Sequence, residues 1–517
     1  MRVKIFNHLR LVALGSILFL LMNLAYGTPH GPETLCHPFS SKRNYDTNYK
    51  WFPIGWGIWA HDLWGEGDPI DPDPQSSGDW VNGYVKFLVD QNCYWINTFV
   101  AIPVDNRVPW GLDYWRDSSQ WTRTATYKRF LDGLESIKAS NGIYDYKGLP
   151  VLSSKLGPPN PQNGIYYILH SGGTWRDGVY DPTTIANITG GDTDIFEFRV
   201  DFLDNEPQLG GWMLCDEPYS GEGAEIVGER DYVHDELLYL KSLIINNDDN
   251  INDHPIHCII RGWHNYDFDP CVTPQWIYHL DDLDVADYIH DDLYLADYVG
   301  INYNPICSFC VTRTKRAMKN LIEPVCNAPD NNIHAWLLWS QGYWQEGVSN
   351  PDDSNENGYM TEEQLRYVNY ASWINGAQGA MFWNLSKSNT RSFERAKKVS
   401  EEAYLASKCL MESDSGISAT ITSTNDDDST AQFILRRDPN FVPGTQYKDC
   451  LLLMVCNNSQ YATNVWIQFP QNQIISTAFG INQSYNWSYT IDTSNNRFGV
   501  GLARSSARAF FIYIAAD

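Results

Sequence analysis

Leu209-Gly-Gly-Trp-Met-Leu-Cys-Asp-Glu-Pro218 reads as a buried strand that stops abruptly. Leu209, Trp212, Met213 and Leu214 supply the apolar surface, and Pro218 has no N–H to donate to a sheet ladder. Two adjacent carboxylates, Asp216 and Glu217, are therefore delivered to the strand's C-terminal end. In folds built from parallel strands, that end is where ligands and chemistry gather. Asp-Glu-Pro is also an ordinary turn composition, so the stretch takes its meaning from the rest of the chain.

Similar runs begin near Pro53 (PIGWGIWA), Cys93 (CYWINTFVAIP), Leu149 (LPVLSSKLG), Pro255 (PIHCIIRGW), Asp297 (DYVGINYNP), Ile333 (IHAWLLWS) and Ala377 (AQGAMFWN). Helical periodicity appears between them at Tyr127–Ala139, Tyr232–Ile245 and Glu362–Asn375, the last opened by Thr361 as N-cap. Alternation of this kind predicts an α/β chain with a (β/α)8 barrel over residues 50–411, its fourth strand being the one that ends in Asp216-Glu217. A doubly wound open sheet is the alternative, but no Gly-x-Gly-x-x-Gly or phosphate loop follows the first strand. After about Glu412 the texture changes to short alternating runs such as AQFILRR, CLLLMVC and ARAFFIYIA, separated by turn clusters. Residues 412–517 are expected to form a small C-terminal antiparallel β-sandwich. Residues 28–49 read as an irregular lead-in.

The first 27 residues read as a secretory signal. Arg2, Lys4 and Arg10 precede an apolar core from Leu11 to Met22, and Ala25-Tyr26-Gly27 offers small residues for cleavage. The core is shorter than the roughly 20 residues a spanning helix needs. A secreted protein with no membrane association after signal removal is expected. Asn-x-Ser/Thr acceptors at Asn187, Asn384, Asn457, Asn482 and Asn486 agree with export. The 11 cysteines are permissible in an oxidising compartment and suggest disulfides, with one left over. Cys307 and Cys310 form a lone Cys-x-x-Cys, read as a local disulfide or two ordinary thiols rather than a redox or zinc site.

The formal charge of −26 argues against nucleic acid and anionic membranes as partners. Aromatic residues make up 14% of the chain, including 20 Trp. Such an excess suits a sugar-handling cleft, where flat rings stack on sugar C–H faces; large rings also simply fill cores. Two acidic loops, Asp68-x-x-Asp71-x-Asp73 and Asp352-Asp353-x-x-Glu356, offer calcium a weak oxygen-rich site, although neither has a complete calcium-loop signature. His61 and His264 lack a paired ligand spacing, so no zinc and no other cofactor is expected.

A Trp-rich barrel followed by a small β-sandwich resembles the large clan of retaining glycosidases built on eightfold βα (TIM) barrels. The resemblance spans roughly residues 50–410 and rests on the strand ends. The clan's fourth strand ends in Asn-Glu, often before Pro, and its Glu is the acid/base; here the strand ends Asp216-Glu217-Pro218. The resemblance thus implies an O-glycosyl hydrolase with Glu217 as proton donor and Asp216 in the place of the usual Asn. Asn205-Glu206-Pro207 spells the pattern more literally but precedes the strand, which puts it at the opposite rim. In an aromatic cleft, desolvation and the neighbouring Asp216 would both raise the pKa of Glu217, as a general acid requires.

The seventh strand departs from the clan's pattern. Its nucleophilic Glu position falls on Gln341, and an amide cannot form the usual covalent intermediate. Glu346 can swing back as the second carboxylate, or it is a plain loop residue. Asp62, Glu66, Asp267 or Asp269 can instead activate water at the longer separation of about 6.5–9.5 Å that inverting enzymes use. Alternatively the protein is a catalytically silent glycan-binding or extracellular-matrix protein on the same scaffold. Strand ends nominate further sugar contacts: Trp56, Trp59, His61 and Asp62 from strand one, Asn97 from strand two and Lys155 from strand three. Arg261, Trp263 and His264 come from strand five, Asn302 and Tyr303 from strand six, Gln341 from strand seven and Trp383 from strand eight. Each of these also has a plain reading as core or loop structure.

Overall fold

A computed structural model describes residues 39–40, 50–59, 93, 95–102, 166–173, 197, 200–201, 204–205, 209–216, 227–251, 254–260, 288–293, 335–341, 361–383, 390–412, 415–423, 431–458, 461–482, 485–504 and 506–516. Strands β1 (Phe39–Ser40) and β2 (Lys50–Trp51) form a short antiparallel ribbon. Eight parallel strands then close into a barrel. In chain order they are β3 (Ile54–Trp59), β4 (Thr98–Ile102), β5 (Tyr166–Gly173), β6 (Leu209–Asp216), β7 (Ile256–Ile260), β8 (Tyr288–Leu293), β9 (Ala335–Gln341) and β10 (Ala380–Trp383). Closure is made where β10 pairs with β3. The stretch Leu209–Asp216 is thus the fourth barrel strand.

Two expected strands are corrected. The third strand is Tyr166–Gly173, not the run near Leu149, and the sixth is Tyr288–Leu293, not the run near Asp297. Both observed strands are compact: YYILHSGG comes after the turn composition Asn-Pro-Gln-Asn-Gly, and YIHDDL carries its apolar residues at Tyr288, Ile289 and Leu293. LPVLSSKLG attracts a strand assignment through its Val and Leu, yet Pro150 and the Ser-Ser-Lys interior are poor strand material. The runs near Leu149 and Asp297 lie outside the described residues, as does the expected helix Tyr127–Ala139.

Three described helices accompany the barrel: α1 (Val227–Asn247) after β6, α2 (Glu362–Ile374) between β9 and β10, and α3 (Thr390–Leu410) after β10. Leu237, Leu240, Leu243 and Ile244 of α1 recur at helical spacing and are all buried. Helix α2 opens with the capping box its sequence announces. The Gln364 N–H donates to Thr361 Oγ1 at 3.2 Å, and the Thr361 N–H donates to Gln364 Oε1 at 2.9 Å.

Close strand approach needs glycine at two places. Gly55 faces Thr98 across the β3–β4 ladder, where a Cβ would sit 1.6 Å from the Thr98 carbonyl oxygen. Gly211 has φ +145, and a Cβ there would lie 2.4 Å from the Pro255 oxygen.

The C-terminal part is a two-sheet sandwich. One sheet runs in the order β11 (Thr420–Ser423), β14 (Thr463–Gln468), β17 (Arg497–Leu502), β16 (Tyr489–Asp492). The other runs β12 (Ala431–Arg437), β13 (Tyr447–Asn457), β18 (Ser506–Ala515), β15 (Ile475–Gly480). Phe433, Leu435, Leu451, Leu453, Val465, Ile467, Phe498, Phe510 and Ile512 fill the space between them. The second sheet turns its other face to α2. That contact explains why Gln364 through Ile374 are buried on every side of the helix, polar Arg366, Asn369 and Ser372 included. No helix among the described residues is long and apolar enough to cross a membrane.

Cys93, Cys258, Cys409, Cys450 and Cys456 are buried thiols. The disulfide expectation therefore fails for these five. Burial pushes the Cys93 thiol up to about 12 and the Cys450 thiol up to about 11, and Cys456 donates to Asn458 Oδ1 at 3.5 Å.

Candidate functional site

The barrel's C-terminal mouth is defined by the last residues of its strands: Trp59, Ile102, Gly173, Asp216, Ile260, Leu293, Gln341 and Trp383. Register brings several of them side by side. Trp383 pairs with Gln341 across β10–β9, Trp59 with Ile102 across β3–β4, and Asp216 with Ile259 across β6–β7.

Strand β6 reaches this rim through an irregularity. Its pairing with β7 runs from Met213↔His257 to Asp216↔Ile259, three residues against two. On the other side, β5 spends three residues, His170 to Gly173, against two of β6. Such bulges bend a strand and redirect the side chains beyond the bend, and they concentrate at barrel rims next to active sites. Glu217 is the next residue after this bend in the sequence; it lies outside the described residues, as do His61, Asp62, Glu66, Arg261, Trp263, His264, Asp267, Asp269 and Glu346.

Asn205, the first residue of the literal Asn-Glu-Pro motif, sits at the other end; Glu206 and Pro207 lie outside the described residues. Asn205 is exposed in a turn ahead of β6, and Asn250, just after α1, donates to its side-chain oxygen at 3.0 Å. The neighbouring Asp204 accepts the Asp249 N–H at 3.1 Å. These ties bind the entry of β6 to the end of α1, on the rim away from the mouth. There Trp212 Nε1 and His254 Nδ1 share Asp248 Oδ2, at 2.7 and 2.9 Å. This buried group anchors the end of the helix to β6.

Two nominated sugar contacts are placed away from the mouth. Trp56 is fully buried and packs on Phe382 and on Phe393 of α3, with ring centroids 5.8 and 6.4 Å apart. It fills the layer between barrel and helix and is not a platform. Asn97 precedes β4 at its entry. Its Oδ1 accepts the Ile54 N–H at 2.8 Å and its Nδ2 donates to the Phe52 carbonyl at 2.9 Å, so it staples the starts of two strands. Lys155 does not end strand three, and Asn302 and Tyr303 do not end strand six, because those strands end at Gly173 and Leu293. These last three lie outside the described residues. The same shift brings in positions that the sequence reading missed: Asp291 and Asp292, near the mouth end of β8, with Asp292 paired to Trp339 of β9. Their signal was an acidic pair closing a short apolar run.

Among the described residues of the barrel strands, His257 of β7 carries a titratable ring that is fully buried. Its ring stands against Gly211, with Nε2 2.6 Å from where a Cβ would be. Burial pushes the imidazole down to about 3, against a hydrogen bond to the Gly210 backbone that pulls it up. The unfolded imidazole titrates near 6.5, so between about 6.5 and 3 the unfolded chain binds a proton that the native state refuses. The stability due to neutral His257 is complete above pH 6.5 and drains away as pH falls toward 3. His257→Gln is expected to flatten that acid slope. Urea midpoints at neutral pH and at about pH 4.5 check this; equal midpoint losses in variant and parent would refute it.

Among the described residues, no three His, Cys, Asp or Glu side chains converge as metal ligands. The two acidic loops considered for calcium lie outside those residues.

No family model matches the chain, and no curated protein matches it. Solved structures similar to it include an α-amylase from Geobacillus thermoleovorans complexed with acarbose, at 11% identity and TM-score 0.44, over 89% of this chain and 98% of that one. A maltogenic α-amylase from Thermotoga neapolitana is similar at 12% identity and TM-score 0.43, over 90% of this chain and 99% of that one. A β-glucanase from Saccharophagus degradans is similar at 13% identity and TM-score 0.39, over 73% of this chain and 95% of that one.

Proposed function

We propose that the chain is a secreted glycoside hydrolase acting on a poly- or oligosaccharide, with Glu217 as general acid/base. The observation that carries this reading is the end of β6. It is the fourth strand of a closed parallel barrel, bulged just before Asp216, and Glu217 comes directly after it in sequence. In that position Glu217 would hand a proton to the glycosidic oxygen as the bond to the sugar breaks.

The partner carboxylate decides the stereochemistry. Glu346 would supply a carboxylate that attacks the sugar directly, or Asp62, Glu66, Asp267 or Asp269 would activate water; one of Asp291 and Asp292 near the end of β8 is a further candidate, since successive strand residues face opposite sides. A carboxyl separation of about 5 Å makes a retaining enzyme, and about 6.5–9.5 Å an inverting one. A second reading, a silent glycan-binding or matrix protein, is favoured by one observation: the last residue of the seventh strand is Gln341.

The test is hydrolysis of a polysaccharide panel by the full chain, with the anomer of the first product tracked by NMR. Product release establishes the enzyme, and the anomer tells retention from inversion. Binding to a polysaccharide without any product turns the reading over to the silent protein. Neither binding nor product removes both.

A further inference from the structure

The sandwich has a second face, turned away from α2, whose residues the barrel chemistry does not use. It is the outer face of the sheet β11-β14-β17-β16. Across it run Thr422, Trp466, Gly499 and Thr490 as direct register partners, flanked by the row Thr420, Gln468, Arg497 and Asp492. Asn464 pairs with Gly501 on the other side of the tryptophan. Thr420, Thr422, Asn464, Thr490 and Gly501 are exposed, and Trp466 is half-buried.

Trp466 stands on a glycine. A Cβ on Gly499 would meet the Cζ3, Cε3 and Cη2 atoms of the indole at 2.5–2.7 Å, so the edge of the six-membered ring rests where a side chain would otherwise project. Its two diagonal neighbours on β17 differ sharply. Arg497 lays its guanidinium carbon 4.3 Å from the ring centroid and is itself held by Asp492 Oδ2 at 2.8 Å from Nε. Gly501, on the other diagonal, has no side chain. The amide of Asn464 borders that gap, its Oδ1 3.3 Å from where a Gly501 Cβ would be.

We infer that this face is a second glycan-binding site, with the Trp466 indole, the gap at Gly501 and the Asn464 amide forming a slot for one sugar ring of a neutral polysaccharide. A pyranose presents a patch of C–H groups that suits the electron-rich face of an indole, and its hydroxyls suit an amide beside that face. The Arg497 stack pins the indole in one orientation, which lowers the ordering cost of binding. Charge selects the class of polymer. Arg497 and Asp492 neutralise one another, so the face is electrically neutral on a chain of net charge −26. A polyanionic glycan would meet repulsion from the molecule as a whole, and an uncharged one would not. The choice of a sugar as ligand rests on the carbohydrate reading of the barrel; the slot does not depend on whether that barrel hydrolyses anything.

Affinity electrophoresis of the full chain through gels holding a β-glucan, a xylan, a galactomannan or amylose tests the site. At least one of them should retard the parent protein. Trp466→Ala, and independently Gly501→Thr, which fills the gap and keeps the indole, should weaken that retardation by about tenfold in Kd. Cleavage of a short soluble oligosaccharide should be unchanged in both. Should Trp466→Ala fold poorly, Gly501→Thr on an exposed strand position carries the test. Retardation that survives both substitutions but vanishes in Trp383→Ala puts the polymer in the barrel mouth alone and overturns the site, as does the absence of retardation by any polymer. Retardation that depends on Trp466 in a protein releasing no product leaves this site standing and removes only the hydrolase reading.

Discussion

Glu217→Gln is expected to lower glycan hydrolysis by about 10²–10⁴-fold, while Glu206→Gln leaves it at the parental rate. Gln keeps the size of the side chain and its hydrogen-bonding reach but has no proton to give at neutral pH. The leaving oxygen must then depart as an alkoxide, which is the step a general acid exists to avoid. A substrate with an activated leaving group, such as a nitrophenyl glycoside, needs less help and should lose correspondingly less rate. The Glu206 control has force because Asn205 lies in a turn before β6, tied to the end of α1 on the rim away from the mouth. Rates of both variants on one polysaccharide settle the matter. Activity lost in Glu206→Gln and kept in Glu217→Gln would reverse the assignment.

Gln341→Glu is the natural companion to that experiment. Gln341 is the last residue of β9 and the register partner of Trp383. A carboxylate at that position is where the resembling clan keeps its nucleophile, so gain of activity, or a switch in product anomer, would show that the scaffold still holds the geometry.

The fourth strand was legible because its two signals coincide: an apolar run and an immediate Pro stop. The seventh and eighth strands were legible through dense runs such as AWLLWS and AMFW, and Thr361 through its capping partner Gln364. Strands three and six were not. YYILHSGG and YIHDDL carry histidines and aspartates inside the run, and a composition count prefers the more apolar stretch nearby. Pairing with neighbours, which supplies much of the stabilisation of a strand, is not visible in single-strand composition. Trp56 and Asn97 were misread for a related reason. Both stand in or beside barrel strands, but sequence does not say which side of a strand meets a helix or which end is the mouth. Trp56 is claimed by Phe393 of α3, and Asn97 by the backbone of Phe52 and Ile54. The bulge before Asp216 left no sequence mark except the nearby pair Gly210-Gly211.

The buried charges between barrel and sandwich lead to the second large effect: Arg366→Met is expected to destabilise the protein by about 3–5 kcal/mol. Glu402 of α3 has no solvent exposure, and Arg366 of α2 grips it through Nε at 2.9 Å and Nη2 at 2.8 Å. Tyr370 and Tyr485, the latter from the sandwich, each donate a hydroxyl to the same carboxylate at 2.6 Å. Burial raises both phenols, and the adjacent Glu402 raises them further, so they remain protonated donors. Burial by itself would lower Arg366, but Glu402 outweighs it and holds the guanidinium charged. Removing the arginine strands a buried carboxylate with only two neutral donors. Glu402→Gln should cost less, because the guanidinium keeps Glu362 at 2.7 Å and Glu363 at 2.8 Å, both partly exposed. The order of the two losses is therefore the diagnostic. Urea unfolding at constant m-value measures it, and a double-mutant cycle with Tyr485→Phe tells whether the sandwich shares in the loss. A cost below about 1 kcal/mol for Arg366→Met would mean that the buried pair adds little net stability, and that barrel and sandwich are held by apolar packing and by their other polar ties, Lys408 to Asp438 at 2.6 Å and Tyr367 to Asn458 at 2.8 Å among them.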